Sequence, residues 1–199
     1  MIPVSTLPNI CYPIDYTVDK QKLKDSIDIL LSRLGIVYND EPDFSINLTH
    51  LPGLSGSDRW LKYSDKHPTL EAAGINEYDF TVLLTEARDL YVGHVIQEIQ
   101  TIGNCRGRVT LVWMGANNSL PLHKDGHVTK RYHIPLITNA DCYWIFHRTP
   151  LNFKIHMPAD ERVWSVDTDY IHTFRNDSNS YRLHMIVTDY KNKPYWTNW

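Results

Sequence analysis

The sequence predicts a mainly β protein, a β-sandwich or jelly roll preceded by helices. Two observations carry this prediction. Apolar residues repeat at helical spacing in the first half of the chain, whereas the period changes to two from Arg106 onward. In the second half, short segments rich in β-branched and aromatic residues are bounded by Asn, Asp, Gly or Pro. Because no helical pattern separates these segments, we expect strands that form packed sheets.

Two helices are predicted in the N-terminal half, which otherwise looks irregular. The first covers Val18 to Leu34, where leucine and isoleucine recur at helical spacing and Gly35 can cap the C-terminus. The second runs roughly from Thr81 to Gln100 along an apolar stripe, and Gly103 closes it. Between them, the prolines and glycines of 40–68 break any long element.

The predicted strands of the second half are short, with the last the longest. They cover 108–113, 131–137, 142–147, 153–156, 163–167 and 181–190. We therefore expect a single domain spanning 1–199. In it, 1–105 is a helical or irregular support, 106–190 is the β core, and 191–199 is a C-terminal tail.

Composition narrows the class of protein. A net charge of −3 gives no electrostatic reason to expect a nucleic-acid or membrane partner. No apolar run approaches the roughly 18 residues that a membrane-spanning helix needs, and the N-terminus does not resemble a secretion signal. Cys11, Cys105 and Cys142 are too few for a disulfide framework or a thiolate zinc site. A reduced, cytoplasmic protein is the default expectation, and the oligomeric state stays open.

Four residues in the β half carry the chemical prediction. Residues two apart on a strand point to the same face, so His123 and Asp125 can reach one metal ion. His172 can join them from an opposing strand. Two histidines and one carboxylate hold one face of iron(II) and leave positions open for a cosubstrate and O2. Arg182, ten residues after His172, offers the fork that a carboxylate of 2-oxoglutarate needs.

Two further patterns support a pocket. The turn signal at 176–179 is expected to fold the Arg182 strand back antiparallel to the His172 strand, so that both side chains enter one site. Arg131 and His133 share one face of a strand whose other face is apolar. Polar residues in a plain core are costly, so they are candidates to line the pocket. Alternatively, that face meets water or each residue has a structural partner.

Several ordered motifs resemble the aspartyl/asparaginyl β-hydroxylase-like family of iron(II)/2-oxoglutarate dioxygenases, which includes bacterial hydroxylases of free amino acids such as proline. The motifs are 121–125, 131–136, 163–167, 172–176 and 181–184. The resemblance implies a double-stranded β-helix, a distorted, cupin-like jelly roll buttressed by N-terminal helices. It covers roughly Val109 to Tyr190, and the first hundred residues match only loosely.

The resemblance also implies the metal ligands. His123, Asp125 and His172 would bind iron(II). Animal aspartyl hydroxylases of this family lack the metal-binding carboxylate, whereas this chain retains Asp125. That departure moves the expectation towards the amino-acid hydroxylases and weakens any carry-over of a peptide-domain substrate.

The resemblance assigns four residues to 2-oxoglutarate. Arg182 would hold its distal carboxylate, and a hydroxyl often assists that arginine, with Thr110 as the candidate. Arg131 and His133 would lie near the carboxylate that is proximal to iron.

The expected function is hydroxylation of an amino acid or an amino-acyl residue, coupled to decarboxylation of 2-oxoglutarate to succinate. Free proline, another amino acid, and Asp, Asn or Pro in a peptide remain open as substrates. Three alternatives are weighed. A nucleic-acid demethylase would carry a second arginine where this chain has Thr188. A cupin-type metal enzyme without 2-oxoglutarate would not need Arg182. A non-catalytic jelly-roll binding module would use the histidines for structure only.

Overall fold

A computed structural model describes residues 10–37, 43–61, 73–103, 107–125, 130–148 and 151–189. In chain order the elements are β1 Cys11–Thr17, α1 Lys20–Arg33, β2 Asp43–Asn47, β3 Thr49–His50, α2 Asp58–Leu61, β4 Val82–Leu83, α3 Tyr91–Gly103, β5 Val109–Met114, β6 Asn118–Ser119, β7 Lys130–Ile137, β8 Cys142–Arg148, β9 Leu151–Ile155, β10 Arg162–Asp167, β11 Ile171–Asn176 and β12 Arg182–Thr188. Short 3-10 helices cover Glu77–Asp79 and Thr85–Ala87. Within these ranges no helix is long and apolar enough to cross a membrane.

The strands form two main sheets, and every pairing in them is antiparallel. The larger sheet has the order β1-β10-β7-β12-β5-β2, and the smaller one has the order β6-β11-β8-β9. β3 and β4 form a separate two-stranded ribbon. The mainly β architecture predicted from the period-two segments is confirmed.

The two faces of the larger sheet have different neighbours. One face packs against α1 and α3 through a cluster of buried apolar side chains that includes Leu23, Ile27, Val95, Ile96, Leu111, Ile134 and Met185. The other face shares a second apolar cluster with the smaller sheet, including Met114, Trp144, Phe146, Trp164 and Phe174. The larger sheet is therefore buried on both sides.

The first helix begins and ends where the sequence indicates. The side chain of Asp19 caps α1 by accepting a hydrogen bond of 2.9 Å from the backbone N–H of Lys22. At the other end Gly35 adopts a positive φ of 68°. The N–H of Ile36 then bonds to the carbonyl of Leu31, which satisfies a free carbonyl of the last turn.

The second helix is shorter at its start than predicted. α3 begins at Tyr91 rather than near Thr81. The ten residues before it fold as β4 and a 3-10 helix, and the N–H of Leu84 donates to the carbonyl of Leu48. Pairing with the ribbon therefore outweighs helical periodicity in this segment.

The N-terminal half also supplies strands that the sequence did not predict. β1 pairs with β10 and β2 pairs with β5, so these strands form the two edges of the larger sheet. β1 contains Pro13, which cannot donate a backbone hydrogen bond and is tolerated at a sheet edge. The description of 1–105 as helical or irregular is wrong for these two strands.

The expected hairpin between the His172 and Arg182 strands is also wrong. β11 belongs to the smaller sheet and β12 to the larger one, so the turn after Asn176 crosses from one sheet to the other. The side chain of Asn176 is fully buried, and its Nδ2 donates to the carbonyls of Gly115 and Ser180, each at 2.8 Å. His172 and Arg182 therefore reach the space between the sheets from opposite sides.

Candidate metal centre

A cavity of about 360 Å³ lies between the two sheets. Its walls include all seven residues that the sequence singled out. These are Thr110, His123, Asp125, Arg131, His133, His172 and Arg182. The cavity therefore brings the predicted metal ligands and the predicted cosubstrate residues into one place.

Backbone pairing between two segments positions the candidate metal ligands. The N–H of His123 donates to the carbonyl of His172 at 3.0 Å, and the N–H of His172 returns a bond of 2.8 Å. This is an isolated bridge, so His123 and Asp125 lie on an irregular segment rather than on the regular strand that was expected. Asp125 is held by a bond from its N–H to the carbonyl of Thr168.

The three side chains could hold one ion. One ligand atom from each of His123, Asp125 and His172 lies within 4.8 Å of the other two. Nε2 of His123 is 3.6 Å from Oδ1 of Asp125. Two imidazoles and one carboxylate form the donor set that suits iron(II) with open coordination positions.

Hydrogen bonds fix the tautomer of both histidines. Nδ1 of His123 lies 2.8 Å from the carbonyl of Pro121, and Nδ1 of His172 lies 2.7 Å from the carbonyl of Tyr170. A carbonyl can only accept, so each Nδ1 carries the proton and each Nε2 presents a lone pair. Such bonds orient metal-binding histidines and raise their basicity. Both imidazoles are therefore prepared as Nε2 ligands.

The third ligand is held as a carboxylate. Nε of Arg131 donates to Oδ2 of Asp125 at 2.8 Å. Burial raises the pKa of Asp125, but the charge of Arg131 and its hydrogen bond outweigh burial, so the pKa lies below its usual value. Burial also lowers the pKa of His172, which favours its neutral, metal-binding form.

A second carboxylate, which was not predicted from the sequence, contacts the same guanidinium. Nη2 of Arg131 lies 3.1 Å from Oε1 of Glu77, which also lines the cavity. Glu77 lies in a 3-10 helix capped by Asn76, within a segment that shows no strand or helix period. Its position depends on tertiary contacts, so no local pattern could have identified it.

Arg182 is a buried cation without an acidic partner among the described residues. Its side chain lies over the ring of Phe174, 3.8 Å from the centroid, and it bonds to Nδ1 of His184. Its Nε has no hydrogen-bond partner there. Burial lowers the pKa of Arg182 to about 9, so the side chain stays charged at neutral pH. A buried charge of this kind is costly unless an anion neutralises it.

Two other side chains that line the cavity, His133 and Trp144, carry buried nitrogen atoms. Both ring nitrogens of His133 and Nε1 of Trp144 are buried, and neither side chain has a hydrogen-bond partner in the described ranges. Their rings meet edge to face with centroids 5.2 Å apart. Buried polar atoms are normally paired, so these atoms fit a site that receives a polar ligand.

Strand register separates Thr110 from Arg182. Thr110 pairs with Ile186 of β12, which in turn pairs with His133 of β7. Arg182 lies four residues before Ile186 on β12, opposite Met114. At about 3.3 Å per residue this is roughly 13 Å along the strand. Thr110 therefore lines the cavity in the row of His133 rather than beside Arg182.

Comparison with known proteins points to one family. Residues 90–191 match the sequence profile of the aspartyl/asparaginyl beta-hydroxylase family, a little over half of the chain. The matched segment contains the three candidate metal ligands and Arg182. No curated protein matches the chain.

Solved structures share the fold at low sequence identity. An oxidoreductase of the 2OG-Fe(II) oxygenase family from Burkholderia pseudomallei is 15% identical, with a TM-score of 0.54, and the match covers 89% of this chain and 82% of that one. AviO1 from Streptomyces viridochromogenes Tue57 is 13% identical, with a TM-score of 0.51, over 94% of this chain and 92% of that one. At these identities the likeness concerns the fold alone.

Proposed function

The chain belongs to the aspartyl/asparaginyl β-hydroxylase family, and from this premise we propose that it is an iron(II)- and 2-oxoglutarate-dependent dioxygenase. Its proposed substrate is an amino acid or an amino-acyl residue. One observation carries the proposal. A single cavity holds two histidines prepared as Nε2 ligands, a carboxylate, and the buried cation Arg182, which has no acidic partner among the described residues.

His123, Asp125 and His172 would hold the iron. With 2-oxoglutarate and O2 bound, iron supplies the oxidising chemistry that hydroxylates the substrate and converts 2-oxoglutarate to succinate and carbon dioxide. Other residues of this chain would orient the three ligands. The backbone carbonyls of Pro121 and Tyr170 orient the two imidazoles, and Arg131 orients the carboxylate.

Arg182 would bind the distal carboxylate of 2-oxoglutarate. A guanidinium can donate two parallel hydrogen bonds to a carboxylate, and the buried setting strengthens the attraction. Nε of Arg182, which has no hydrogen-bond partner among the residues that the structure describes, supports this assignment. Arg131 and His133 stay as proposals for contacts near the proximal carboxylate. Thr110 stays a proposed cosubstrate contact in the row of His133, but not as an assistant of Arg182.

We interpret the two facing sheets as a double-stranded β-helix. The antiparallel orders of the six-stranded and four-stranded sheets support this interpretation. The positions of His172 on β11 and Arg182 on β12 also support it, because these residues approach the cavity from facing sheets. A cytoplasmic location is part of the proposal, and the free thiols of Cys11 and Cys142 agree with a reducing compartment.

Two of the alternatives leave Arg182 unexplained. A cupin-type enzyme that does not use 2-oxoglutarate has no need of a buried guanidinium in the metal cavity. A non-catalytic binding module would gain stability by replacing that cation with an apolar side chain.

The test is succinate formation from 2-oxoglutarate by the purified protein with Fe(II) and ascorbate, with and without a pool of amino acids. We expect turnover that rises with one member of the pool and is lost in Asp125→Ala. The matched control is Asp169→Ala, because Asp169 is an exposed carboxylate that pairs with Lys124. Turnover that survives in Asp125→Ala would contradict the metal site, and absence of both turnover and Fe(II)-dependent 2-oxoglutarate binding would contradict the function.

A further inference from the structure

The guanidinium of Arg131 bridges two carboxylates, only one of which is a candidate metal ligand. Its Nε donates to Oδ2 of Asp125 at 2.8 Å, and its Nη2 donates to Oε1 of Glu77 at 3.1 Å. Arg131 and Glu77 are both largely buried, with side-chain exposures of 19% and 14%. The bridge therefore connects Glu77 to the metal ligand inside the protein rather than across solvent.

Glu77 is fixed from several directions. Its Oε2 accepts a bond of 2.8 Å from the hydroxyl of Thr188 on β12, and its Oε1 lies 3.5 Å from Nη1 of Arg108. Its own carbonyl accepts the N–H of Arg108 at 2.8 Å. A Cβ at Gly107 would lie 2.9 Å from that carbonyl, so a glycine is needed for this close approach. A carboxylate held this firmly can in turn hold its partner.

We propose that Glu77 is a positioning residue for the metal ligand Asp125, and that it acts through the guanidinium of Arg131. The inference rests on the proposed function, since it takes Asp125 to be a metal ligand. It goes further by giving a role to a residue outside the matched family segment, which begins at residue 90.

Two effects of Glu77 favour metal binding. Arg131 alone would place a full positive charge on a ligand that must also bind a cation, and the negative charge of Glu77 offsets it. Glu77 also binds a second donor of the guanidinium, Nη2, so Arg131 keeps one orientation and holds Oδ2 of Asp125 in place. Oδ1, which lies 3.6 Å from Nε2 of His123, is then left facing the other ligands.

The experiment measures Co(II) binding to the full-length protein, by titration and by the ligand-field absorption of the bound ion, without cosubstrate. Glu77→Gln keeps the size of the side chain and removes its charge. We expect the Kd for Co(II) to rise by roughly ten- to hundredfold, as when outer partners of metal ligands are replaced. The absorption bands should also change, because the position of Asp125 changes. A folded Glu77→Gln protein with the Kd and spectrum of the wild type would overturn the proposal.

Glu86→Gln is the matched control. Glu86 forms a comparable ion pair, with its Oε1 2.7 Å from Nη2 of Arg59, and it does not line the cavity. Its loss should lower stability and leave the Kd for Co(II) unchanged. An equal rise of the Kd in Glu86→Gln would show a general structural effect and would overturn a specific role for Glu77.

A second variant keeps the proposal testable if Glu77→Gln does not fold. Arg131→Lys retains the positive charge, but an ammonium group lacks the planar fork that reaches both carboxylates. The Kd for Co(II) should rise here as well, and a wild-type value in the folded variant would overturn the proposal.

Asp125→Ala distinguishes failure of the positioning role of Glu77 from failure of the metal centre itself. If the wild type binds Co(II), Asp125→Ala loses it and Glu77→Gln retains it fully, only the positioning role fails. If the wild type binds no Co(II), or binds it equally well as Asp125→Ala, the metal centre fails and the positioning role fails with it.

Discussion

At the scale of single residues, Arg182 is the side chain whose presence most needs a ligand. It is buried on β12 and packs on Phe174. Within the described part of the chain its guanidinium bonds to the neutral imidazole of His184 and has no carboxylate partner. A buried carboxylate in place of His184 would neutralise the guanidinium and compete with an incoming anion. The imidazole holds the guanidinium and leaves its charge available.

This arrangement predicts opposite effects of Arg182→Met on binding and on stability. The variant should weaken 2-oxoglutarate binding by about a hundredfold, since two hydrogen bonds to charged groups contribute about 3 kcal/mol together. The ligand-free protein should unfold at a higher urea concentration, because a buried unpaired charge is replaced by an apolar side chain. Calorimetric titration with 2-oxoglutarate and urea denaturation would measure the two effects.

The control is Arg175→Met, which removes an exposed arginine that pairs with Asp177. It should change neither quantity appreciably. Wild-type affinity for 2-oxoglutarate in Arg182→Met would contradict the assignment of the distal carboxylate. A large loss of stability would contradict the view that its charge is uncompensated without ligand.

At the scale of elements, the alternation of apolar residues and the turn residues predicted those strands whose signal lies in their own sequence. Strands such as β7 and β10 were expected within a residue of their observed bounds, because alternation and turn residues mark them. The edge strands β1 and β2 were not expected, since their conformation depends on pairing with partners more than sixty residues away. The crossing of β11 and β12 between sheets was missed for the same reason: a turn signal does not say which sheet follows.

The residues of the candidate site also differ in whether their own sequence could predict them. The candidate metal ligands and Arg182 were predicted from their residue types and spacing. The structure brings them to one cavity, although His123 and Asp125 do not lie on a regular strand. Glu77 was not found. It comes from a short 3-10 helix far from the ligands in sequence, and only the folded chain brings it to Arg131.

Gly93 gives a prediction for the helical element. It lies inside α3, where Ala is normally favoured over Gly by about 1 kcal/mol. A Cβ at this position, however, would lie 2.2 Å from the backbone carbonyl oxygen of Ala87, and backbone cannot move aside easily. We therefore expect Gly93→Ala to lower the free energy of unfolding by about 1–3 kcal/mol, the range for overpacked sites. Urea denaturation measures it.

Thr101→Ala is the control for helix propensity. Thr101 is exposed near the end of the same helix, and its hydroxyl donates a hydrogen bond to the carbonyl of Gln97. This variant should be neutral or slightly stabilising. If Gly93→Ala were also stabilising, the close approach of α3 to the preceding 3-10 helix would not be as tight as the structure indicates.

At the scale of the whole molecule, one face of the larger sheet packs in the hydrophobic core and the other face lines the cavity. Its helix-facing side is apolar, whereas its other side buries His133, Arg182 and His184 and places the partly buried Arg131 at the cavity. An all-apolar interior of this size would be more stable. The polar side therefore makes the stability of the whole fold depend on the protonation of buried groups.

The free energy of unfolding is expected to depend on pH through two buried histidines. Burial, with the charge of Arg182 added to it, holds the pKa of both His133 and His184 well below the usual 6.5. Both are therefore neutral in the folded protein but take up protons in the unfolded chain below pH 6.5. Since the unfolded state binds more protons, stability is fully present above pH 6.5 and falls as the pH decreases towards the folded-state pKa.

Each such histidine contributes a slope of about 1.4 kcal/mol per pH unit, so the pair gives at most about 2.7 kcal/mol per unit between pH 6 and pH 5. Urea denaturation of the metal-free protein at pH 8, 7, 6 and 5 would show a plateau followed by this decline. His184→Gln removes one titrating group and should halve the contribution of the pair, whatever its effect at pH 8. A slope that is unchanged in His184→Gln would mean that this imidazole takes up its proton inside the fold, beside Arg182. The guanidinium would then lack the neutral partner that leaves its charge available to a carboxylate.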